Sequence, residues 1–288
     1  MGFPEVQPVI VASHPRSGTH LLIDLLRRQF DACRSWKWPG ERLDRLYCSI
    51  DELNADRGRL SEQTARRILS RTDRPLVKTH ARPGLQNTFL APHHEGLPPN
   101  WAKWLDENGT VLYVHRDGRD VMCSYQMMRR RMEAAPNESV GSFMRGSDPA
   151  QEDSRVRRWA RHVRTWTTTE DVHVLSFESI LNTPEAVIES LGERLGLDPA
   201  WRTPLLPERF SSIWESRWAR LFSMYPESTA ILGTGGKEWR EAFSAVDRRF
   251  FHQEAGDLLL DLGYVDSAAW VDTQRTDSVD TTSQEASR

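Results

Sequence analysis

The stretch VIVASHPRSGTHLLIDLL, at residues 9–26, joins an apolar run to a small-residue turn and then to a helix-like pattern. Residues 9–13 form a short continuous run of the kind found in strands that are buried on both faces. The leucines of residues 21–26 recur with helical spacing. The turn at residues 14–20 lies between them. This order of strand, turn and helix predicts one unit of a parallel α/β fold.

Three further runs have the character of strands. They are residues 76–80 (LVKTH), 110–114 (TVLYV) and 172–177 (VHVLSF), and helix-like patterns follow the last two at about 119–132 and 183–195. Strands that alternate with helices are typical of a parallel sheet covered on both faces. The sequence therefore predicts an α/β domain with a central parallel β-sheet flanked by helices.

The turn at residues 14–20 has the composition of an anion-binding loop. Main-chain amides at the start of a helix lack partners within the helix, and the helix dipole favours negative charge there. Arg16 adds a permanent cation, and Ser17, Thr19 and His20 add side-chain donors. An ordinary turn with a helix cap is the plainer interpretation, but the pattern as a whole favours a phosphate site.

A second strand–turn–helix segment, YVHRDGRDVMCSY at residues 113–125, repeats this arrangement. Arg116 follows the strand and Ser124 lies one to two helical turns later, so both side chains can face a second phosphate. The carboxyl ends of neighbouring parallel strands share one edge of a sheet. Two anion sites at that edge predict a nucleotide that carries phosphates at both ends of its ribose.

ATP fits these segments less well. The P-loop of ATP-binding kinases has the pattern GxxxxGK[ST], and residues 14–20 have neither its length nor its ending. Residues 115–117 (HRD) match the start of a protein-kinase catalytic loop, but that motif requires Asn five residues after the Asp. Met122 stands at that position, which argues against the match.

Composition excludes several other classes of protein. The formal net charge of −3 argues against a nucleic-acid-binding protein, because such proteins usually carry a basic excess. The three cysteines show no CxxC spacing, which predicts reduced thiols without a metal site or a disulfide. No signal-peptide pattern is evident, and no apolar run reaches the roughly 18 residues of a membrane span. We therefore expect a cytoplasmic protein with no membrane partner.

A length of 288 residues fits one large domain with insertions. We expect a single domain over residues 1–271, with insertions on the substrate side near residues 31–60 and 134–154. Residues 272–288 are polar and nearly free of large apolar groups, which predicts a disordered tail.

The quoted segments resemble motifs of the sulfotransferases that use 3′-phosphoadenosine 5′-phosphosulfate. The 5′-phosphosulfate loop of that family is similar to residues 15–20, its 3′-phosphate motif to residues 113–124, and its Lys-Thr-His to residues 78–80. Its Trp-x-x-His-Val-x-x-Trp helix is similar to residues 159–166, and its later Tyr-Glu-Asp and Gly-Asp-Trp-Lys motifs are similar to residues 177–184 and 235–243. The resemblance implies the P-loop-like, nucleotide-kinase-like sulfotransferase fold.

This resemblance implies transfer of a sulfuryl group to a small-molecule hydroxyl by in-line displacement, with adenosine 3′,5′-bisphosphate as the product. His80 matches the family's general base, Arg16 matches the cation that stabilises charge on the leaving nucleotide, and Lys78 orients groups near the sulfuryl. The nucleotide contacts that it implies are Arg16, Ser17, Gly18, Thr19, His20, Arg116, Ser124 and Phe177, with Gly235, Gly236 and Lys237 as weaker candidates. It implies no metal.

Three positions depart from the family's pattern. Arg16 stands where the cytosolic members have lysine, so it keeps the charge but does not readily donate a proton. Phe177 stands where a tyrosine hydrogen-bonds the adenine. Residues 232–234 (LGT) stand where the family has Arg-Lys-Gly, which removes expected donors to the 3′-phosphate.

Two other classes of function stay open. One is a P-loop-type ATP kinase, and the other is a non-catalytic nucleotide-binding protein, which the missing Arg-Lys pair favours. A fold does not determine its substrate. Four classes of acceptor therefore stay open, namely a phenol, an alkyl alcohol, a sugar and a natural product. No pattern in the sequence indicates the oligomeric state.

Overall fold

The computed structural model describes residues 2–53, 60–83, 99–132, 138–147, 152–201, 203–206, 221–226, 229 and 238–272. Within these ranges the strands are β1 (Val9–Ser13), β2 (Cys48–Ser49), β3 (Leu76–Thr79), β4 (Thr110–His115) and β5 (His173–Ser176). All neighbouring strands pair in parallel, in the order β2-β3-β1-β4-β5. The predicted central parallel sheet is confirmed.

Helices connect these strands and cover the sheet. In chain order they are α1 (Thr19–Gln29), α2 (Glu62–Leu69), α3 (Pro99–Asn108), α4 (Gly118–Met132), α5 (Val140–Arg145), α6 (Arg155–Thr167), α7 (Phe177–Asn182), α8 (Pro184–Leu195), α9 (Trp239–Ala242) and α10 (Ala245–Asp261). Five of these helices are capped by the serine that immediately precedes them, whose hydroxyl accepts a hydrogen bond from a main-chain amide of the first turn. These serines are Ser61, Ser139, Ser154, Ser176 and Ser244. Such caps satisfy amides that the helix itself leaves without partners.

The sheet is buried on both faces, as the continuous apolar run at residues 9–13 indicates. Val9 and Val11 pack against α1 and α8 on one face. Ile10 packs against α2 and α3 on the other face, and Ala12 packs there against α4 and α6. Successive side chains of a strand point to opposite faces. Because helices cover both faces of the sheet at β1, every residue of this strand is fully buried.

The edge strand β2 lies inside the range 31–60, where the sequence shows no regular pattern. Cys48 and Ser49 pair with Val77 and Lys78 of β3. Two residues are too few to produce a recognisable alternation of apolar and polar side chains. Short 3₁₀ turns surround this strand, at Asp31–Cys33, Leu43–Leu46 and Ile50–Glu52.

The order of the strands places a crevice at the carboxyl end of β1. The chain runs from β1 to β2 and β3 on one side, and then crosses to β4 and β5 on the other. Ligands of open α/β sheets bind at such points, outside the carboxyl ends of the strands. The turn after β1, His80 after β3, Arg116 after β4 and Phe177 after β5 all lie at this edge.

Two further observations bear on the class of protein. Cys33, Cys48 and Cys123 are free and buried, and burial raises the pKa of each thiol to about 12. None of the described helices has both the length and the apolar character that a membrane crossing needs. The domain boundary at residue 271 stays a prediction, and residues 134–137, 148–151 and 273–288 lie outside the described part of the chain.

Candidate active site

The loop between β1 and α1 has a backbone shape that few sequences can adopt. Arg16 has a φ of 73° and Gly18 a φ of 106°. A Cβ atom on Gly18 would lie 2.7 Å from Cδ2 of Phe177, so glycine is required both by conformation and by space. Non-glycine residues with positive φ are costly and tend to occur at functional sites. The loop is therefore shaped for something other than the simple connection of a strand to a helix.

The amino end of α1 offers donors to a ligand. Unlike the five serine-capped helices, α1 is preceded by Gly18, and no side chain among the described residues caps it. The hydroxyl of Ser17 is buried and has no hydrogen-bond partner there. Buried polar groups in proteins are nearly always paired. A loop with open amides and an unpaired buried hydroxyl is suited to an anion, and the assignment of Ser17 and Gly18 to such a site stays a prediction.

Arg16 connects this loop to the second predicted anion site. Its Nε donates to Oγ of Ser124, at 3.1 Å, and its guanidinium lies 4.0 Å from the sulfur of Met128. Ser124 and Met128 are one turn apart on α4. The structure therefore brings together two sequence segments that are 108 residues apart.

Arg116 lies at the start of the second loop, between β4 and α4. Its guanidinium carbon is 4.4 Å from the ring centre of Phe177, and its Nε is buried without a hydrogen-bond partner in the described chain. The distance to the carboxylate of Asp120 is 4.0 Å, which is long for an ion pair. Because Phe177 also contacts Gly18, its ring lies between the two loops.

Several residues that the sequence analysis did not assign hold this second loop in place. Glu178 accepts a hydrogen bond from the main-chain amide of Asp117 at 3.2 Å and another from the hydroxyl of Tyr264 at 2.9 Å. The Tyr264 hydroxyl has a single proton, so it accepts from Nδ1 of His115 at 2.8 Å. Gly118 allows close packing, since a Cβ there would lie 2.6 Å from the ring of Trp159.

His80 follows β3 and has the geometry of a base. Its Nδ1 lies 2.8 Å from the carbonyl oxygen of Ser13. A carbonyl only accepts, so Nδ1 carries the proton and Nε2 keeps its lone pair. The side chain is partly exposed, yet burial and the charge of Lys78 lower the pKa of His80 to about 3. His80 is thus neutral near pH 7 and can accept a proton.

Three other predicted residues lie around His80. Lys78 has its ammonium nitrogen 5.9 Å from the ring centre of Tyr47. Nδ1 of His20 is 2.9 Å from the hydroxyl of Thr229, so a ligand would meet this ring through Nε2. Burial lowers the pKa of His20 to about 3. The hydroxyl of Thr19 is 2.5 Å from that of Ser13.

The remaining predicted nucleotide contacts, Gly235, Gly236 and Lys237, lie outside the described residues. Among the residues that the structure does describe, no three His, Cys, Asp or Glu side chains form a group that could hold a metal ion.

Two buried histidines beside the site predict a loss of stability in acid. His14 and His162 are 7% and 6% exposed, and their ring centres are 5.5 Å apart. Burial lowers the pKa of His162 to about 4 and that of His14 well below its ordinary value. Below pH 6.5 these two histidines become protonated in the unfolded chain but stay neutral in the folded chain. The free energy of unfolding therefore falls as pH falls.

We expect this loss to begin near pH 6.5 and to reach about 1.4 kcal/mol per pH unit for each such histidine. Urea unfolding at pH 7.5 and pH 5.5 measures it. The variant His162→Gln should lose less stability between the two pH values than the wild type. An equal loss in both proteins would contradict the assignment to His162.

Comparisons with known proteins bear on these observations. A model of the sulfotransferase domain family matches residues 7–219, which is more than half of the chain. The crystal structure of retinol dehydratase in complex with androsterone and the inactive cofactor PAP is similar at 21% identity and a TM-score of 0.53, over 90% of this chain and 82% of that one.

Two more crystal structures show comparable similarity. Mouse sulfotransferase SULT7A1 complexed with PAP has 16% identity and a TM-score of 0.54, over 94% of this chain and 88% of that one. Retinol dehydratase in a complex with retinol and PAP has 17% identity and a TM-score of 0.54, over 90% and 83%. At these identities the similarity establishes the shared fold.

Proposed function

The chain belongs to the sulfotransferase family, and on this premise we propose that it transfers a sulfuryl group from 3′-phosphoadenosine 5′-phosphosulfate to a hydroxyl of a small-molecule acceptor. The observation that carries the proposal is a pair of buried donors, Ser17 Oγ and Arg116 Nε, that have no hydrogen-bond partner among the described residues. They lie in two loops that Arg16 and Ser124 join. One nucleotide with phosphates at both ends of its ribose would satisfy both donors.

Each loop has a distinct part in binding. The amides at the start of α1, the hydroxyl of Ser17 and the guanidinium of Arg16 would hold the 5′ end of the nucleotide. Arg116 and Ser124 would hold the 3′-phosphate. The ring of Phe177 contacts both loops and would pack against the adenine.

His80 would act as the general base. Its Nε2 accepts the proton of the acceptor hydroxyl while the acceptor oxygen bonds to sulfur and the bond from sulfur to the phosphate oxygen breaks. Arg16 stabilises the negative charge that grows on that phosphate oxygen. The charge of Lys78 acts on His80, and Lys78 orients the groups near the sulfuryl.

A bound anion would also change the pKa of His80. Burial and the cations Lys78 and Arg16 lower the pKa of His80 to about 3. Nearby negative charge favours the protonated form of a histidine. Binding of the polyanionic nucleotide would therefore raise the pKa of His80 and make it a stronger base when the donor is present.

The acceptor class follows from the molecules bound in similar structures. The similar structures contain androsterone and retinol, which are small molecules with a hydroxyl group on an apolar framework. We propose a small-molecule hydroxyl acceptor here too, among phenols, alkyl alcohols, sugars and natural products. In this proposal the partners of the enzyme are the nucleotide and the small-molecule acceptor, with no nucleic acid or membrane.

Calorimetric titration with adenosine 3′,5′-bisphosphate, AMP and ATP tests the proposal. We expect the bisphosphate to bind at least tenfold more tightly than AMP or ATP. It carries both a 5′-phosphate for the first loop and a 3′-phosphate for the second, whereas AMP and ATP have no 3′-phosphate. Preferential binding of ATP would support the kinase alternative. Tight bisphosphate binding with no transfer to any acceptor class would support the non-catalytic alternative.

A further inference from the structure

His80 lies one residue beyond the last residue of β3, where the sheet no longer supplies partners for the main chain. Amides and carbonyls that leave a sheet need other partners when they are buried. For His80, side chains from two different parts of the chain fill this need. One is Asp51, which follows β2, and the other is His162 on α6.

Asp51 holds the amide side. Its Oδ2 accepts from the main-chain amide of His80 at 2.8 Å, and its Oδ1 accepts from the hydroxyl of Thr79 at 2.8 Å. The same Thr79 hydroxyl oxygen accepts from the amide of Ala81 at 3.0 Å. One carboxylate thereby fixes three consecutive residues.

His162 holds the carbonyl side. Its Nε2 lies 3.1 Å from the carbonyl oxygen of His80 and 3.2 Å from that of Ala81. Both partners only accept, so Nε2 carries the proton, and Nδ1 accepts from the hydroxyl of Tyr113 at 3.0 Å. Trp166, one turn further along α6, donates to the carbonyl of Ala81 at 3.0 Å.

We propose that Asp51 and His162 are positioning residues for the sulfuryl transfer, which hold His80 by its main chain from both sides and so direct its Nε2 at the acceptor. The proposal rests on the proposed function. With the main chain fixed, the bond from Nδ1 to the Ser13 carbonyl determines both the tautomer and the direction of the ring. A base acts only within hydrogen-bond reach of its proton, and a displacement of about 1 Å can lower a rate by about a hundredfold.

The variant His162→Phe tests this role, because it keeps a ring but removes the donor. We expect kcat to fall by roughly ten- to a hundredfold, while the dissociation constant for adenosine 3′,5′-bisphosphate stays unchanged. His162→Gln can still donate to the two carbonyls, so its kcat should lie within a few-fold of wild type. His173→Phe is the matched control, since that ring bonds Ser190 on α8 and its loss should leave kcat unchanged.

A double-mutant cycle distinguishes positioning from general damage. If His162 acts through His80, then His162→Phe should have no further effect on kcat when His80 is already alanine. The same fold-loss in both backgrounds would overturn the proposal. If His80→Ala itself leaves turnover unchanged, the proposed role of the base fails instead, which is a different result.

A spectroscopic measurement does not depend on the acceptor. Long-range ¹H–¹⁵N NMR of the histidine rings should show His80 as the Nδ1–H tautomer in the wild type, with His80→Ala giving the assignment. In His162→Phe and in Asp51→Asn we expect a mixture of tautomers. The asparagine amide accepts through one oxygen only, so Asp51→Asn tests the proposal even if His162→Phe does not fold. An unchanged tautomer in the variants that fold would overturn it.

Discussion

The variant His80→Ala is expected to lower turnover by about two orders of magnitude, the ordinary scale for loss of a general base. The ring is neutral near pH 7, and its Nε2 is the nitrogen without the proton. Alanine removes this acceptor and leaves in place the two loops that we propose to bind the nucleotide. Initial rates of transfer, measured with saturating donor and a responsive acceptor, give the effect.

Binding of adenosine 3′,5′-bisphosphate is the necessary control for this variant. It should remain close to the wild-type affinity, because neither anion loop includes His80. His173→Ala removes a histidine from β5 that bonds Ser190, and it should have no effect on turnover. Wild-type turnover in His80→Ala would remove this residue from the mechanism.

The second large effect is expected for Arg116→Ala, in binding and not in chemistry. Within the described chain, its guanidinium has a buried Nε without a hydrogen-bond partner and a long contact to Asp120. A charged hydrogen bond to a phosphate contributes about 1.5–3 kcal/mol, so affinity for adenosine 3′,5′-bisphosphate should fall by roughly ten- to more than a hundredfold.

AMP separates the proposed contact of Arg116 with the 3′-phosphate from its observed contact with Phe177. The guanidinium also stacks on Phe177, so its loss could loosen the adenine pocket for every nucleotide. AMP lacks the 3′-phosphate and should lose little affinity in Arg116→Ala. Arg161→Ala, at a half-exposed arginine on α6, should change neither affinity. Equal losses for both nucleotides would contradict the 3′-phosphate role.

Much of the fold could be predicted because β1 is buried on both faces. Its five residues form an uninterrupted run, and the observed strand is the predicted one. The short strand β2 could not be predicted, since two residues carry no periodicity. The helix predicted over residues 183–195 is in fact preceded by a separate helix, α7. Thr183 alone separates the two helices, and Pro184 begins the second, because proline favours the first position of a new helix.

The site was predictable where function depends on local sequence, and not where it depends on distant partners. Arg16, Ser17 and Gly18 are adjacent in the chain, so their shared loop could be recognised. Asp51 lies in a stretch without any motif, and its contact with His80 exists only because β2 pairs with β3. His162 had a signal in the pattern of residues 159–166, but that pattern does not indicate which group the ring would bind.

The sheet order also places the candidate site on two flanks of β1. His80 and Lys78 belong to β3 and its end, on one side of β1, whereas Arg116 and Phe177 belong to the ends of β4 and β5 on the other. Under the proposed function, substitutions near the edge strand β2 would change the surroundings of His80 and leave the strand ends at Arg116 and Phe177 in place. We therefore expect acceptor preference to respond to substitutions on the β2 flank, and affinity for the nucleotide to respond to substitutions on the β4 and β5 flank.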